Sequence, residues 1–118
     1  MKFEFSDKAI FQEYFGPAHQ MVRRSVKEFV DKEIIPNIED WEEKNEFPRD
    51  LYKKAGDVGI LGIGYPEEYG GTPGDIFFQV AAWEEIMRCG SGGVAAGLGS
   101  LNIAIPPIVS HGTDEQKE

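Results

Sequence analysis

Helical periodicity is the feature of this sequence that most restricts its fold. Val22, Val26 and Phe29 share one face of a helix that starts at Pro17, a residue suited to the first helical position. Arg23 is expected to point away from this apolar stripe. Almost no stretch alternates apolar and polar residues as a half-buried strand would. The pattern therefore predicts an all-α fold, a compact bundle of about five or six helices.

Two apolar helices with side chains of different sizes are predicted in the second half of the chain. Asp75 can cap the first, which is apolar around so much of its circumference that we expect it to be the most buried helix. Its expected inward face is Ile76, Val80, Trp83 and Met87, flanked by Phe77, Ala81 and Ile86. Ser91 can cap the next, whose many small residues predict close packing near the Trp83 helix. Pro106-Pro107 should start another short helix.

Charge and cysteine content exclude several kinds of partner. Acidic residues outnumber basic ones by 21 to 12, and the net charge of −9 opposes binding to nucleic acid. We see no continuous apolar run of about 18 residues, so no membrane-spanning helix is expected. Cys89 is the only cysteine, so no intramolecular disulfide is possible, which fits a reducing compartment and predicts a cytoplasmic protein. Cys89, His19 and His111 form no metal-binding pattern.

The acidic residues between Glu28 and Glu46 have two interpretations. The first is a solvated helix face, which is the usual role of a run of charges. The alternative is a docking surface for a basic partner.

The motifs that could carry chemistry are incomplete. Two Gly-x-Gly pairs, at residues 62–64 and 97–99, do not extend to a dinucleotide-binding pattern, and there is no phosphate-loop motif. Glu84 and Glu85 diverge by about 100° on a helix, so we expect them not to share a site. One of them is expected to be buried, either against Arg88 or against the Tyr69 loop, and to form a structural salt bridge. We predict no catalytic, cofactor-binding or metal-binding residue in this chain.

Six segments, in their order and spacing, resemble the N-terminal domain of the acyl-CoA dehydrogenase family. They are MVRRSVKEFVDKEIIP (21–36), WEEKNEFPRDL (41–51), AGDVGILGIGY (55–65), PEEYGG (66–71), EEI (84–86) and GTDEQK (112–117). On this resemblance, residues 1–20 are a lead-in segment and residues 21–118 are the helical domain. The capping box at Thr113 to Gln116 starts a helix of about one turn, so we expect this domain to be truncated at its C-terminus.

The resemblance implies a larger enzyme with a helical N-terminal domain, a middle β-domain and a C-terminal helical bundle. It implies noncovalent FAD, oxidation of an acyl-CoA substrate to the trans-2-enoyl-CoA, electron transfer to an electron-transferring flavoprotein, and a homotetramer. The family's catalytic glutamate and almost all its flavin contacts lie beyond this segment. The chain alone should therefore be inactive and without FAD.

The resemblance also places the floor of the acyl-chain pocket on the helix after EEI, at about residues 94–103. The candidate substrate-binding residues are Ala95, Ala96, Gly99 and Ile103, with Leu98 as a further candidate. Small side chains there would leave room for a longer or bulkier acyl tail. The alternative is that they only allow two helices to pack closely.

Two other functions stay open at this point. A flavin monooxygenase or oxidase on the same fold would share this domain and lack the C-terminal glutamate base. A stand-alone helical binding module would need a polar, self-sufficient surface. A docked domain instead leaves an exposed apolar patch of more than a few hundred Å² when isolated.

Overall fold

The computed structural model describes residues 13–118; residues 1–12, most of the expected lead-in segment, lie outside the described residues. The α-helices are α1 (Pro17–Phe29), α2 (Ile38–Lys44), α3 (Asp50–Asp57), α4 (Ile76–Met87), α5 (Gly92–Gly99), α6 (Leu101–His111) and α7 (Asp114–Lys117). Short 3₁₀ turns occupy Ile60–Gly62 and Glu67–Tyr69. Residues 13–118 contain no strand, only an isolated bridge between Ile63 and Thr72. The all-α prediction is confirmed.

The core forms where α1 packs along α4. Val26 and Phe29 are buried there, so the predicted stripe on α1 is confirmed. Pro36 lies within continuous helical structure. The helix continues through a π-helical turn, Val30–Ile34, and a 3₁₀ turn, Ile35–Asn37, into α2. Because proline has no N–H to donate, the regular ladder cannot pass through this point and the helix axis bends.

The predicted helix starts are confirmed by their capping contacts. The Asp75 carboxylate accepts a hydrogen bond from the Phe77 amide at 2.9 Å, and the Ser91 hydroxyl accepts one from the Val94 amide at 3.1 Å. Thr113 forms its reciprocal capping box at the start of α7. These contacts satisfy amides that a helix start leaves without an internal partner.

Three of the four residues of the predicted inward face of α4 are exposed, so that prediction is wrong for them, whereas Trp83 is half-buried against the core. Ile76 is 63% exposed, Met87 is 52% exposed and Val80 is also exposed, whereas the buried residues are Ala81, Ala82, Glu85 and Ile86. Small alanines let α1 approach α4 closely, so the large side chains lie on the side that this chain leaves uncovered. A helix that is apolar all round gives no sequence signal to distinguish these two sides.

The expectation of a new helix at Pro106-Pro107 is also wrong, because both prolines lie inside α6. Proline's fixed φ is itself helical, so the helix continues, while the carbonyls of Asn102 and Ile103 lose their usual donors.

Helices α5 and α6 together contradict the expectation that the chain has no apolar stretch long enough to span a membrane. Gly92–His111 is a 20-residue stretch that by length and composition could cross a membrane, which the sequence analysis overlooked because glycine, serine and proline interrupt it. Length and composition alone do not make it a membrane span, since core helices pass the same test. Val94 and Leu98 in this stretch belong to the domain core, although most of the stretch is not buried within the described chain.

Candidate functional site

The candidate pocket residues occupy two sides of α5 and α6. Ala95 and Leu98 are buried in the domain core. Ala96 is exposed, Gly99 is half-buried and Ile103 is 79% exposed. The spacing of these last three, three and four residues apart, is the spacing of one helix face. The structure therefore brings Ala96, Gly99 and Ile103 together on an outward face and separates them from Ala95 and Leu98.

Close helix packing explains one of the small residues. A Cβ at Gly97 would lie 2.6 Å from the Phe47 ring, and the Tyr52 hydroxyl donates a hydrogen bond to the Gly97 carbonyl at 3.2 Å. A side chain at this position would displace the aromatic ring. Gly97, which is not one of the candidate pocket residues, is therefore kept small by aromatic side chains from the loop before α3 and from α3.

Trp83 connects α4 to the outward face of α5. A Cβ at Gly99 would lie 3.2 Å from Trp83 Cη2, so a larger residue here would press on the indole ring. This confirms that the small-residue segment packs beside the Trp83 helix. Val80 and Met87 lie on the same side of α4 as Trp83 and are exposed. The outward face of α5 and α6 thus adjoins apolar side chains that this chain does not cover.

A second apolar groove, of about 280 Å³, lies between α6 and the loop at residues 61–71. Ile105, Ile108 and Val109 line one wall, and Tyr65 and Tyr69 line the loop side. The Tyr65 hydroxyl donates a hydrogen bond to Asn102 Oδ1 at 2.9 Å, and burial raises the pKa of this phenol. Mostly apolar walls with few polar groups suit an apolar ligand or an apolar protein segment.

The turn beneath this groove needs its glycine. A Cβ on Gly71 would lie 2.4 Å from the Tyr65 carbonyl oxygen, and Gly70 has a φ of 85°. This is consistent with a structural role for residues 66–71.

Arg23 and two glutamates form a buried ion-pair cluster that corrects two expectations. Arg23 does not point away from the core: it lies 2.7 Å from Glu84 and 3.3 Å from Glu85. The two glutamates therefore share a partner, because the long guanidinium spans both side chains. Arg88 binds Glu85 at 3.3 Å and Asp31 at 3.1 Å, which confirms the predicted salt bridge with Arg88. The cluster joins α1, the π turn and α4.

His19 connects the starts of α1 and α4, a contact that the sequence analysis missed. Its Nε2 lies 2.9 Å from Asp75 Oδ1, and its Nδ1 accepts a hydrogen bond from the Gly16 amide. The ring stacks on Phe78 with centroids 4.1 Å apart. The hydrogen bond from His19 lowers the pKa of Asp75. No sequence spacing could pair residues 56 positions apart.

The side chains present offer apolar surface in place of acid–base chemistry. Residues 13–118 contain no cluster of three or more histidines, cysteines or carboxylates that could hold a metal ion. Burial raises the pKa of Cys89, so its thiol is a poor nucleophile. What the arrangement can do is form one wall of a larger site.

The comparisons with known proteins agree with this geometry. The family profile described as "Acyl-CoA dehydrogenase, N-terminal domain" matches residues 16–118. The probable acyl-CoA dehydrogenase YngJ of Bacillus subtilis is 42% identical over 84% of this chain and 26% of its own. The mitochondrial long-chain specific acyl-CoA dehydrogenase of Rattus norvegicus is 39% identical over 88% of this chain and 24% of its own.

A solved structure gives the same result for the fold. The crystal structure of a putative acyl-CoA dehydrogenase from Mycobacterium smegmatis superposes with a TM-score of 0.81 and is 34% identical. The match covers 92% of this chain and 28% of that one. The chain thus spans about a quarter of the length of the proteins it resembles.

Proposed function

This chain belongs to the acyl-CoA dehydrogenase family, and we propose that it walls the acyl pocket of an FAD-dependent enzyme that oxidises an acyl-CoA thioester to the trans-2-enoyl-CoA. The observation that carries this proposal is the outward face of α5 and α6, where Ala96 and Ile103 are exposed on an uncharged helical stretch. An acyl tail is apolar and unbranched along most of its length. It is bound most favourably by such a surface, which excludes water from it.

Residue size on this face sets how much room a tail would have. Ala96 and Gly99 are small, and Ile103 is the one large aliphatic side chain among the three. We propose that Ala96 and Gly99 leave space for the tail and that Ile103 contacts it. Ala95, the fourth candidate, acts from the core by supporting the helix, since its side chain is buried there.

Neither of the two apolar grooves of residues 13–118 fits a flavin dinucleotide. A pyrophosphate needs converging amide donors or basic side chains. The groove at Tyr65 and Tyr69 offers only Lys117, and a second groove at Trp41 is lined by Glu42 and Glu46. We therefore propose that FAD and the catalytic base are held by other parts of the polypeptide, and that this chain alone is inactive.

The proposal extends to the electron acceptor, the oligomeric state and the location of the whole enzyme. An electron-transferring flavoprotein would accept the electrons, the whole enzyme would be a homotetramer, and the location would be cytoplasmic. The exposed apolar residues of α4 and α6 disfavour a stand-alone binding module, which would need a polar surface.

The test is substrate chain length in the whole enzyme carrying Ala96→Leu. Because Ala96 is exposed in this domain, leucine can be added without displacing a core neighbour, whereas Gly99→Leu would also push Trp83. We expect kcat/KM to fall at least about tenfold for long acyl-CoA substrates and to change little for short ones, since a blocked methylene or two costs about 1–3 kcal/mol.

Ala18→Leu is the matched control, since it makes the same change at an exposed position of α1. It should leave the chain-length profile unchanged. An equal loss for short and long substrates in Ala96→Leu would assign residue 96 to packing and contradict the proposal.

A further inference from the structure

A further region that could bind a partner is a groove of about 350 Å³ between the end of α2, the start of α3 and the start of α5. We call it the Trp41 groove. Its lining residues are Trp41, Glu42, Asn45, Glu46, Phe47, Tyr52, Gly93 and Val94. None of them was among the candidate pocket residues, and none carries a positive charge.

The local sequence explains why this groove is open. Asn45 ends α2 in the left-handed conformation, with a φ of 55°, which asparagine tolerates better than most residues. The reversal brings Phe47 onto Trp41, with ring centroids 6.0 Å apart, and onto Tyr52 at 5.5 Å. Gly93 adds no side chain on the opposite wall. Three adjoining aromatic rings therefore form the floor.

Three aspartates on the helices around this groove are paired, whereas the glutamates of α2, Glu39 and Glu43 included, form no ion pair within residues 13–118. Asp40, Asp50 and Asp57 each have a lysine four residues away that forms an ion pair with them. Within residues 13–118, neither Glu42 nor Glu46 forms an ion pair with a lysine or arginine.

The two carboxylates of the groove have different surroundings. Glu42 accepts a hydrogen bond from the Ser91 hydroxyl, which holds it at the rim. Glu46 is exposed and adjoins the floor. Lys44 and Arg49 line an adjoining groove that shares Trp41, Glu46 and Phe47 with this one, but neither cation forms an ion pair with Glu46. The Trp41 groove thus combines aromatic faces with two carboxylates that have no ion-pair partner within residues 13–118.

We propose that the Trp41 groove binds an arginine side chain, with a neighbouring apolar residue, from a partner protein. A guanidinium is flat and weakly hydrated, stacks on aromatic rings and pairs with carboxylates. The rings here supply the stacking surface and Glu46 supplies the charge. This surface is distinct from the outward face of α5 and α6, so the inference does not depend on the pocket assignment.

The two tryptophans make the test specific, because Trp41 lines the groove and Trp83 does not. The ¹⁵N-labelled chain is titrated with the peptide acetyl-Leu-Arg-Leu-amide while both indole N–H signals are followed by NMR. Trp41→Phe assigns the Trp41 signal. We expect that signal to shift saturably with the arginine peptide and the Trp83 signal to stay in place. The same peptide with neutral citrulline in place of arginine should bind several-fold more weakly.

Two variants separate local recognition from general charge attraction. Glu46→Gln should weaken binding of the arginine peptide about threefold, the size expected for one exposed ion pair. Glu43→Gln removes the same charge from a residue of α2 outside the groove and should change binding by less than the titration error. Equal effects of the two variants, equal binding of the citrulline peptide, or no shift of the Trp41 signal would each overturn the proposal.

Discussion

Replacing Arg23 with methionine should destabilise the domain more than any other single change to a charged residue of α1. Arg23 is 3% exposed and bridges Glu84 and Glu85, of which Glu85 is 2% exposed. Methionine fills much of the volume of the arginine side chain but removes one ion-pair partner of the Glu85 carboxylate. Removing one member of a buried ion pair costs about 3–5 kcal/mol. Because Arg88 still lies 3.3 Å from Glu85, we expect the lower end, about 3 kcal/mol.

That loss is large enough to measure in two ways. For a chain of this size it lowers the melting temperature by about 12 °C. With a urea slope of about 1.5 kcal/mol per molar, it lowers the unfolding midpoint by about 2 M. Urea unfolding followed by tryptophan fluorescence and by far-UV circular dichroism would report the midpoint. Arg23→Lys, which keeps the charge and loses the fork of donors, provides a milder variant should Arg23→Met not fold.

Arg24→Met is the matched control. Arg24 is the next residue of α1, is exposed, and forms no ion pair within the described residues. We expect its stability to change by no more than about 0.5 kcal/mol. Urea midpoints for Arg23→Met and Arg24→Met that agree within about 0.3 M, at a slope typical of small domains, would refute the reasoning about the buried cluster.

Three further outcomes are expected. Gly71→Ala should lower the free energy of unfolding, measured with urea, by about 2 kcal/mol because the new Cβ would meet the Tyr65 carbonyl. Gly56→Ala places its Cβ in open space on α3 and should raise the free energy of unfolding by about 0.5 kcal/mol. The hydrogen bond from His19 lowers the pKa of Asp75 in the folded chain. The ionised carboxylate therefore stabilises the fold fully at pH values above the ordinary carboxyl pKa of about 3.9. This contribution is lost as the pH falls through the lower pKa of the folded state. The stability gap between wild type and Asp75→Asn should therefore shrink below about pH 4, and a constant gap would contradict this. The isolated chain should enhance the fluorescence of a hydrophobic dye at its uncovered α4 and α6 faces, and a tightly monomeric chain without dye binding would contradict that.

Local signals in the sequence were sufficient for the three capped helix starts, although not for the prolines inside α6. Asp75, Ser91 and Thr113 cap helices through contacts with residues two or three positions away, so their effect is contained in a short stretch of sequence. Gly59 follows α3 with a φ of 82°, a left-handed conformation that glycine adopts without steric cost. Such contacts do not depend on where the rest of the chain lies.

Contacts between distant elements could not be predicted in the same way. The orientation of α4 is decided by which side meets α1, and a helix that is apolar all round carries no record of that choice. Arg23, the shared partner of Glu84 and Glu85, lies 61 and 62 residues before them in the sequence. Its long side chain lets it contact both carboxylates. A periodicity argument places the Cα atoms of such residues but not the ends of their side chains.

The candidate site was predicted only through resemblance to a family. Helical spacing then accounts for the division the structure shows, with Ala96, Gly99 and Ile103 outward and Ala95 and Leu98 in the core. Nothing in the composition of this stretch distinguishes an acyl-binding wall from a packing surface, and the role of these residues stays a prediction.

The most direct test of the central claim is a crystal structure of the whole enzyme with a long-chain acyl-CoA bound. The account predicts that the distal carbons of the acyl tail lie within about 4 Å of the side chains of Ala96 and Ile103. An acyl tail that ends against other parts of the polypeptide, with Ala96 and Ile103 covered by protein, would contradict the claim that this domain walls the pocket.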